Sequence, residues 1–286
     1  MDLRERYIET NGVKLHVMES GPADGPMILF LHGFPEFWYA WRKQIGYFAE
    51  RGYLVVVPDQ RGYNLSEKPK GIAPYKIDEL AKDVIGLIDF YKRDKIFLVG
   101  HDWGAAVSWW VSIKYPERIS RLVIMNVPHT LVFRKHLFGT QKQMEKSWYI
   151  FYFQIPGAVE VFASANDYQW PIDLIVGSAR PGVFQPEELE KYREAFKQPG
   201  AFSSMVNWYR AALQAPSEQP ADFRVKMPVL VLWGLQDIAQ VPQSPDESMP
   251  YCDNGRLVKF DECSHWIQHE EAAVISPMID EFLKEV

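Results

Sequence analysis

The 286 residues, 47% of them hydrophobic, suffice to bury a large core as one big domain or two small ones. A net charge of -6, and the absence of any basic run that could track a phosphate backbone, argue against a nucleic-acid partner. No apolar leader follows Met1, no apolar run reaches the ~18 residues of a membrane span, and Cys252 and Cys263 are too few for a disulfide framework or a metal site, so a reducing cytoplasm and no metal or cofactor are the expectations.

In chain order, alternating residues predict a strand over Val13 to Met18, and the apolar run Met27 to Leu31 predicts a buried one that ends at His32-Gly33. A helix is expected around Trp41 to Arg51, then a strand over Leu54 to Val57, closed by Pro58-Asp59. Ile77, Leu80, Ala81, Val84, Leu87, Ile88 and Tyr91 recur at helical spacing. Ile96 to Val99 reads as a strand, Ala105 to Tyr115 as a helix and Leu122 to Met125 as a strand. Such alternation implies an α/β class with a mostly parallel central sheet flanked by helices.

After Asn126 the rhythm changes. Helical stretches rich in Trp, Tyr and Phe, punctuated by prolines, run from about Thr130 to Ala221 without a short β-type segment. Strand signals return at Val229 to Trp233 and Leu257 to Phe260, and a last helix is expected over Ala272 to Lys284. The expected organisation is a core of residues 1–129 and 222–286, interrupted after the sixth strand by a helical cap of residues 130–221.

The segment Phe97-Leu98-Val99-Gly100-His101-Asp102-Trp103-Gly104 is a strand, a tight turn and a helix start. Small residues on both sides of position 102 give the frame of a nucleophile elbow, with Asp where serine hydrolases carry Ser. A helix N-terminus keeps such a carboxylate ionised, and a carboxylate attacks without a base. Attack on an sp³ carbon gives an alkyl ester, whose hydrolysis then needs an activated water. His265, in Cys263-Ser264-His265-Trp266, follows the last strand, and Asp237, in Gly234-Leu235-Gln236-Asp237, follows the one before. The order nucleophile, acid, histidine fits an α/β-hydrolase fold, with His265 as base and Asp237 as its orienter. His269, Asp246 and Asp261 are rivals in the same region. His32-Gly33-Phe34-Pro35 can aim the Phe34 N–H, with that of Trp103, at one Asp102 oxygen, an oxyanion hole often worth roughly 3 kcal/mol per donor.

With His32-Gly33-Phe34-Pro35-Glu36-Phe37-Trp38, Gly100-His101-Asp102-Trp103-Gly104, Tyr152 in Phe151-Tyr152-Phe153-Gln154 and Tyr209 in Asn207-Trp208-Tyr209-Arg210, the chain resembles the soluble epoxide hydrolases of the α/β-hydrolase superfamily over its whole length. The resemblance implies that two cap tyrosines, here Tyr152 and Tyr209, hydrogen-bond the oxygen of a small lipophilic epoxide. Tyr149, Tyr168 and Tyr192 are then packing residues of an aromatic cap, and His32, Pro35, Phe37, Trp38, Trp208 and Trp266 are expected to line the substrate pocket. Where the family more often has Gly, this chain has Asn64, a residue that tolerates left-handed backbone. The nearest alternative is a haloalkane or haloacid dehalogenase with the same Asp nucleophile. It is disfavoured by Phe34, which offers no side-chain halide donor, and by Trp103 where fluoroacetate-type dehalogenases have Arg. A non-catalytic ligand-binding member of the fold is disfavoured by the intact Asp102, Asp237 and His265. The assembly is left open between monomer and homodimer.

Overall fold

A computed structural model describes residues 2–285. Eight strands form one sheet in the order β1-β2-β4-β3-β5-β6-β7-β8. They are β1 (Leu3–Thr10), β2 (Val13–Ser20), β3 (Met27–Leu31), β4 (Leu54–Pro58), β5 (Ile96–His101), β6 (Ile119–Met125), β7 (Val225–Gly234) and β8 (Cys252–Phe260). β2 runs antiparallel to both β1 and β4, and the remaining pairs are parallel. This is the mostly parallel sheet of the expected α/β-hydrolase fold.

β3 and β4 are buried at every position, as strands covered on both faces must be. Their residues divide alternately between two cores. Leu29, Leu31 and Val56 pack on one face with α2 (Ile77–Phe90) and α3 (Trp103–Lys114). Ile28, Phe30, Val55 and Val57 pack on the other with α1 (Arg42–Ala49) and the C-terminal helix Ala272–Lys284. The period of two along each strand makes this division unavoidable.

β2 is legible in the sequence, but its partner β1 is not. β1 is an edge strand in which Ile8 and Thr10 are the buried side chains, so too little apolar alternation marks it. α3 starts at Trp103, two residues before the apolar helical pattern suggested, because the elbow feeds straight into it.

Between β6 and β7 lie seven helices among the described residues: α4 (Thr130–Gly139), α5 (Gln141–Lys146), α6 (Trp148–Tyr152), α7 (Ala158–Ser164), α8 (Gln169–Ser178), α9 (Pro186–Lys197) and α10 (Ala201–Gln214). β6 and β7 nevertheless pair directly, Leu122 with Val229, so this whole run leaves the sheet and returns to it. Among the described residues, no helix is long and apolar enough to cross a membrane.

Candidate active site

Asp102 sits between β5 and α3 with φ 49° and ψ -124°, a conformation that costs a non-glycine residue energy and lifts its side chain off the strand. The flanking glycines permit it. A Cβ on Gly104 would strike the carbonyl groups of Leu31 and His32, and one on Gly100 the Gly104 carbonyl and Ser108. The Phe34 N–H donates to Oδ1 of Asp102 at 2.7 Å. The Trp103 N–H makes no hydrogen bond to this carboxylate among the described residues, so of the two expected oxyanion donors only Phe34 is engaged at rest.

His265 Nε2 lies 3.5 Å from Oδ2 of Asp102, and its Nδ1 lies 2.8 Å from Oδ2 of Asp237. An ionised carboxylate only accepts, so Nδ1 carries a proton and donates it to Asp237. Burial opposes an imidazolium here. The charge of Asp237 and the adjacent Asp102 outweigh burial and hold the His265 pKa well above its usual value. Asp102 is likewise driven up by burial but held below the usual carboxylate range by His265 and the Phe34 N–H.

Asp237 is itself fixed on three sides. Asn126 Nδ2 donates to its Oδ2 at 2.7 Å, while the Ala239 and Gln240 N–H groups donate to Oδ1 at 2.6 and 3.2 Å. Asn126 also accepts the Gly234 N–H at 3.1 Å, tying the end of β6 to the end of β7. Sequence reasoning missed Asn126. A single Asn after a strand reads as a turn residue, and only β6–β7 pairing brings it to Asp237.

The rival residues lie elsewhere. Asp246 pairs with Lys259 at the surface, and Asp261 is exposed, with only its backbone carbonyl accepting, from Gln236 Nε2, among the described residues. His269 Nε2 is 2.7 Å from Oε1 of Glu36, a fully buried carboxylate that also accepts from Tyr192 Oη at 2.9 Å and Gln268 Nε2 at 2.9 Å, with His101 Nδ1 at 3.2 Å. Burial alone would raise the Glu36 pKa, but His269 and His101 keep it far below the usual carboxylate range. His101 Nε2 in turn donates to the His265 carbonyl oxygen at 2.8 Å, so this cluster braces the residue before the nucleophile and the loop of the histidine. Glu36→Leu would strand several buried donors, and we expect a loss of about 3 kcal/mol or more, read as a lower urea midpoint for unfolding.

A cavity of about 590 Å³ opens above Asp102, within the size range of small-molecule sites. Tyr209 lines it, its ring 5.2 Å from that of Phe34 and 5.1 Å from that of Trp103, the two neighbours of the carboxylate. Two further tyrosines line it: Tyr149, 5.8 Å from Tyr209 between ring centroids, and Tyr75, whose hydroxyl is already engaged by the Pro69 carbonyl at 2.8 Å and Ser204 Oγ at 3.0 Å. Tyr152 does not line this cavity. Its ring lies 6.0 Å from that of Trp148, tilted by 42°, and Trp148 is 59% exposed. Tyr149, expected from the sequence to be a packing residue, lines the cavity where Tyr152 is expected. Burial first, then the charge of Asp102, push the pKa of Tyr149 and of Tyr209 far above the ordinary phenol value, so both stay protonated.

The cavity also departs from the expected lining. Trp208 lines the cavity, but His32, Pro35, Phe37, Trp38 and Trp266 do not. His32 is buried beneath it, accepting the Gln60 N–H at 3.0 Å, and Phe37 stacks on Tyr39. Trp38 packs into the core beside Phe37, and the Trp266 indole donates to Ser178 Oγ at 2.9 Å. Pro35 belongs to the turn that aims the Phe34 N–H. Asn64 takes the left-handed backbone expected of it, with φ 38°, and donates to Asp59 Oδ2 at 2.8 Å.

Comparison with known proteins agrees with this architecture. The family model described as alpha/beta hydrolase fold matches residues 26–272. The AB hydrolase superfamily protein YfhM of Bacillus subtilis (strain 168) is 43% identical over 98% of this chain and 97% of its own. Epoxide hydrolase 1 of Caenorhabditis elegans is 38% identical over 97% of this chain and 70% of its own. The crystal structure of a mutant of an epoxide hydrolase from Bacillus megaterium superposes with a TM-score of 0.90 at 31% identity, covering 98% of this chain and all of that one. On fold, elbow and kinship together, the chain belongs to the epoxide hydrolases of the α/β-hydrolase superfamily.

Proposed function

We propose that the chain converts an epoxide and water to a vicinal diol through an alkyl ester on Asp102. An Asp102 oxygen attacks a ring carbon, the carbon–oxygen bond breaks, and the ring oxygen takes a proton from Tyr149 or Tyr209. Water then attacks the ester carbonyl while His265 removes one of its protons, and Asp237 stabilises the imidazolium. The tetrahedral oxyanion receives the Phe34 and Trp103 N–H groups. On collapse the departing diol oxygen takes the proton from His265, and the proton left on the new carboxyl group restores the phenol. In this reading the helices of residues 130–221 act as the cap that carries the phenols and closes off bulk water.

The observation that carries the reading is the pair of protonated phenols, Tyr149 and Tyr209, lining the same cavity as Asp102. An alkoxide leaves poorly without a donor, whereas a halide needs none. At rest the Phe34 N–H is already given to Asp102, which supports an oxyanion role over halide binding.

Styrene oxide and bromohexane assayed side by side test the substrate class. The diol should form and bromide should not be released; bromide release without diol formation would overturn the reading. A single turnover in heavy-oxygen water should give diol with ordinary oxygen, taken from Asp102.

A further inference from the structure

The cavity has an inner and an outer end. Tyr209 lies at the inner end of its α10 wall, whereas Leu213 and Gln219 are exposed at the outer end. From Tyr209 to the end of α10 at Gln214, this wall climbs roughly 7 to 8 Å at a helical rise of about 1.5 Å per residue. The facing wall is α4, which turns Thr130, Leu131, Phe133, Arg134, Leu137 and Phe138 to the cavity. That spacing is one face of a helix.

Asp102 and Arg134 are the charged side chains lining the cavity among the described residues. Arg134 is exposed, and it has neither an ion pair nor a hydrogen bond among the described residues. Its neighbour Lys135 instead points to Glu247, at 2.8 Å. The channel thus places an anion at its floor and an unpaired guanidinium toward its mouth, with mainly apolar walls between.

We propose that Arg134 is a specificity-determining residue that selects epoxides carrying a terminal carboxylate on a long apolar body. The assignment rests on the epoxide-opening reading of Asp102. The carboxylate end is repelled by the Asp102 charge, so it cannot enter first, and a guanidinium offers it a two-point hydrogen bond at the mouth. The apolar body fills the channel, and the epoxide, set back from the carboxylate by the length of that body, meets Asp102 and the two phenols.

The test uses epoxidised oleate, its methyl ester and styrene oxide, all in dilute monomeric solution, on the whole chain. Wild-type protein should show a lower KM for the acid than for its ester. Arg134→Gln should raise the KM for the acid about fivefold, the size of one partly exposed ion pair, with kcat unchanged. Its kinetics on the ester and on styrene oxide should stay as in wild type, and Arg134→Lys should restore part of the loss. If the acid and ester have equal KM in the wild type, or if Arg134→Gln leaves the acid's KM unchanged, the selectivity proposal fails while the epoxide reading stands. If wild-type protein turns over none of the three, the reading beneath it fails.

Discussion

Exchanging Asp102 for Ala should lower turnover by about 10⁴-fold or more, since removing a nucleophile from a group that acts as a unit abolishes its covalent route. His265→Gln should produce a different defect. Asp102 needs no base for its attack, so the ester still forms. Gln cannot accept a proton from water, so the ester persists. Intact-protein mass spectrometry after exposure to styrene oxide should show a gain of one substrate mass in this variant, and none in the Asp102→Ala, His265→Gln double variant. An unmodified His265→Gln protein would sink the covalent mechanism.

The same logic fixes a pH dependence. In the resting site, burial disfavours the His265 imidazolium, while Asp237 and Asp102 together raise its pKa. Ester formation removes the Asp102 charge, so the pKa falls toward the value set by burial and Asp237 alone. A proton held in the resting enzyme is therefore released as the ester forms, freeing His265 to act as base. Hydrolysis of the ester, followed in single-turnover experiments, should speed up as pH rises through the pKa of the ester form. Ester formation should not follow that rise, because Asp102 is already ionised well into acid.

The buried strands were legible because β3 and β4 are continuous apolar runs, and the elbow because two glycines frame Asp102 at the end of such a run. Asp237 and His265 were legible from their places after β7 and β8. What escaped depends on contacts between distant segments. Asn126 means nothing until β7 lies beside β6, and the Glu36 cluster exists only because residues 36, 101, 192 and 269 meet. Phe37 and Trp38 adjoin the oxyanion turn in sequence, yet their side chains point into packing on the far side of it. Adjacency along the chain was a poor guide to adjacency in the cavity.

Replacing both Tyr149 and Tyr209 by Phe should lower the rate of ester formation by roughly 10²- to 10⁴-fold, the usual range for loss of positioned acid catalysis. Tyr152→Phe should change it by less than about twofold. The contrast matters because α6 is a helix of five residues, too short for its own period to reveal which face looks inward. Its flanks decide the matter. Ile150 and Phe153 are buried, Trp148 and Phe151 are exposed, and Tyr149 is paired at i, i+4 with Phe153, their rings 5.7 Å apart. Tyr152 shares its side with Trp148 instead. Each single Phe variant should retain part of the activity, since the remaining phenol can still protonate the ring oxygen. Stopped-flow quenching of Trp fluorescence on binding and alkylation gives the rate directly. Loss of ester formation in Tyr152→Phe, with Tyr149→Phe intact, would return the donor role to the residue first expected to hold it.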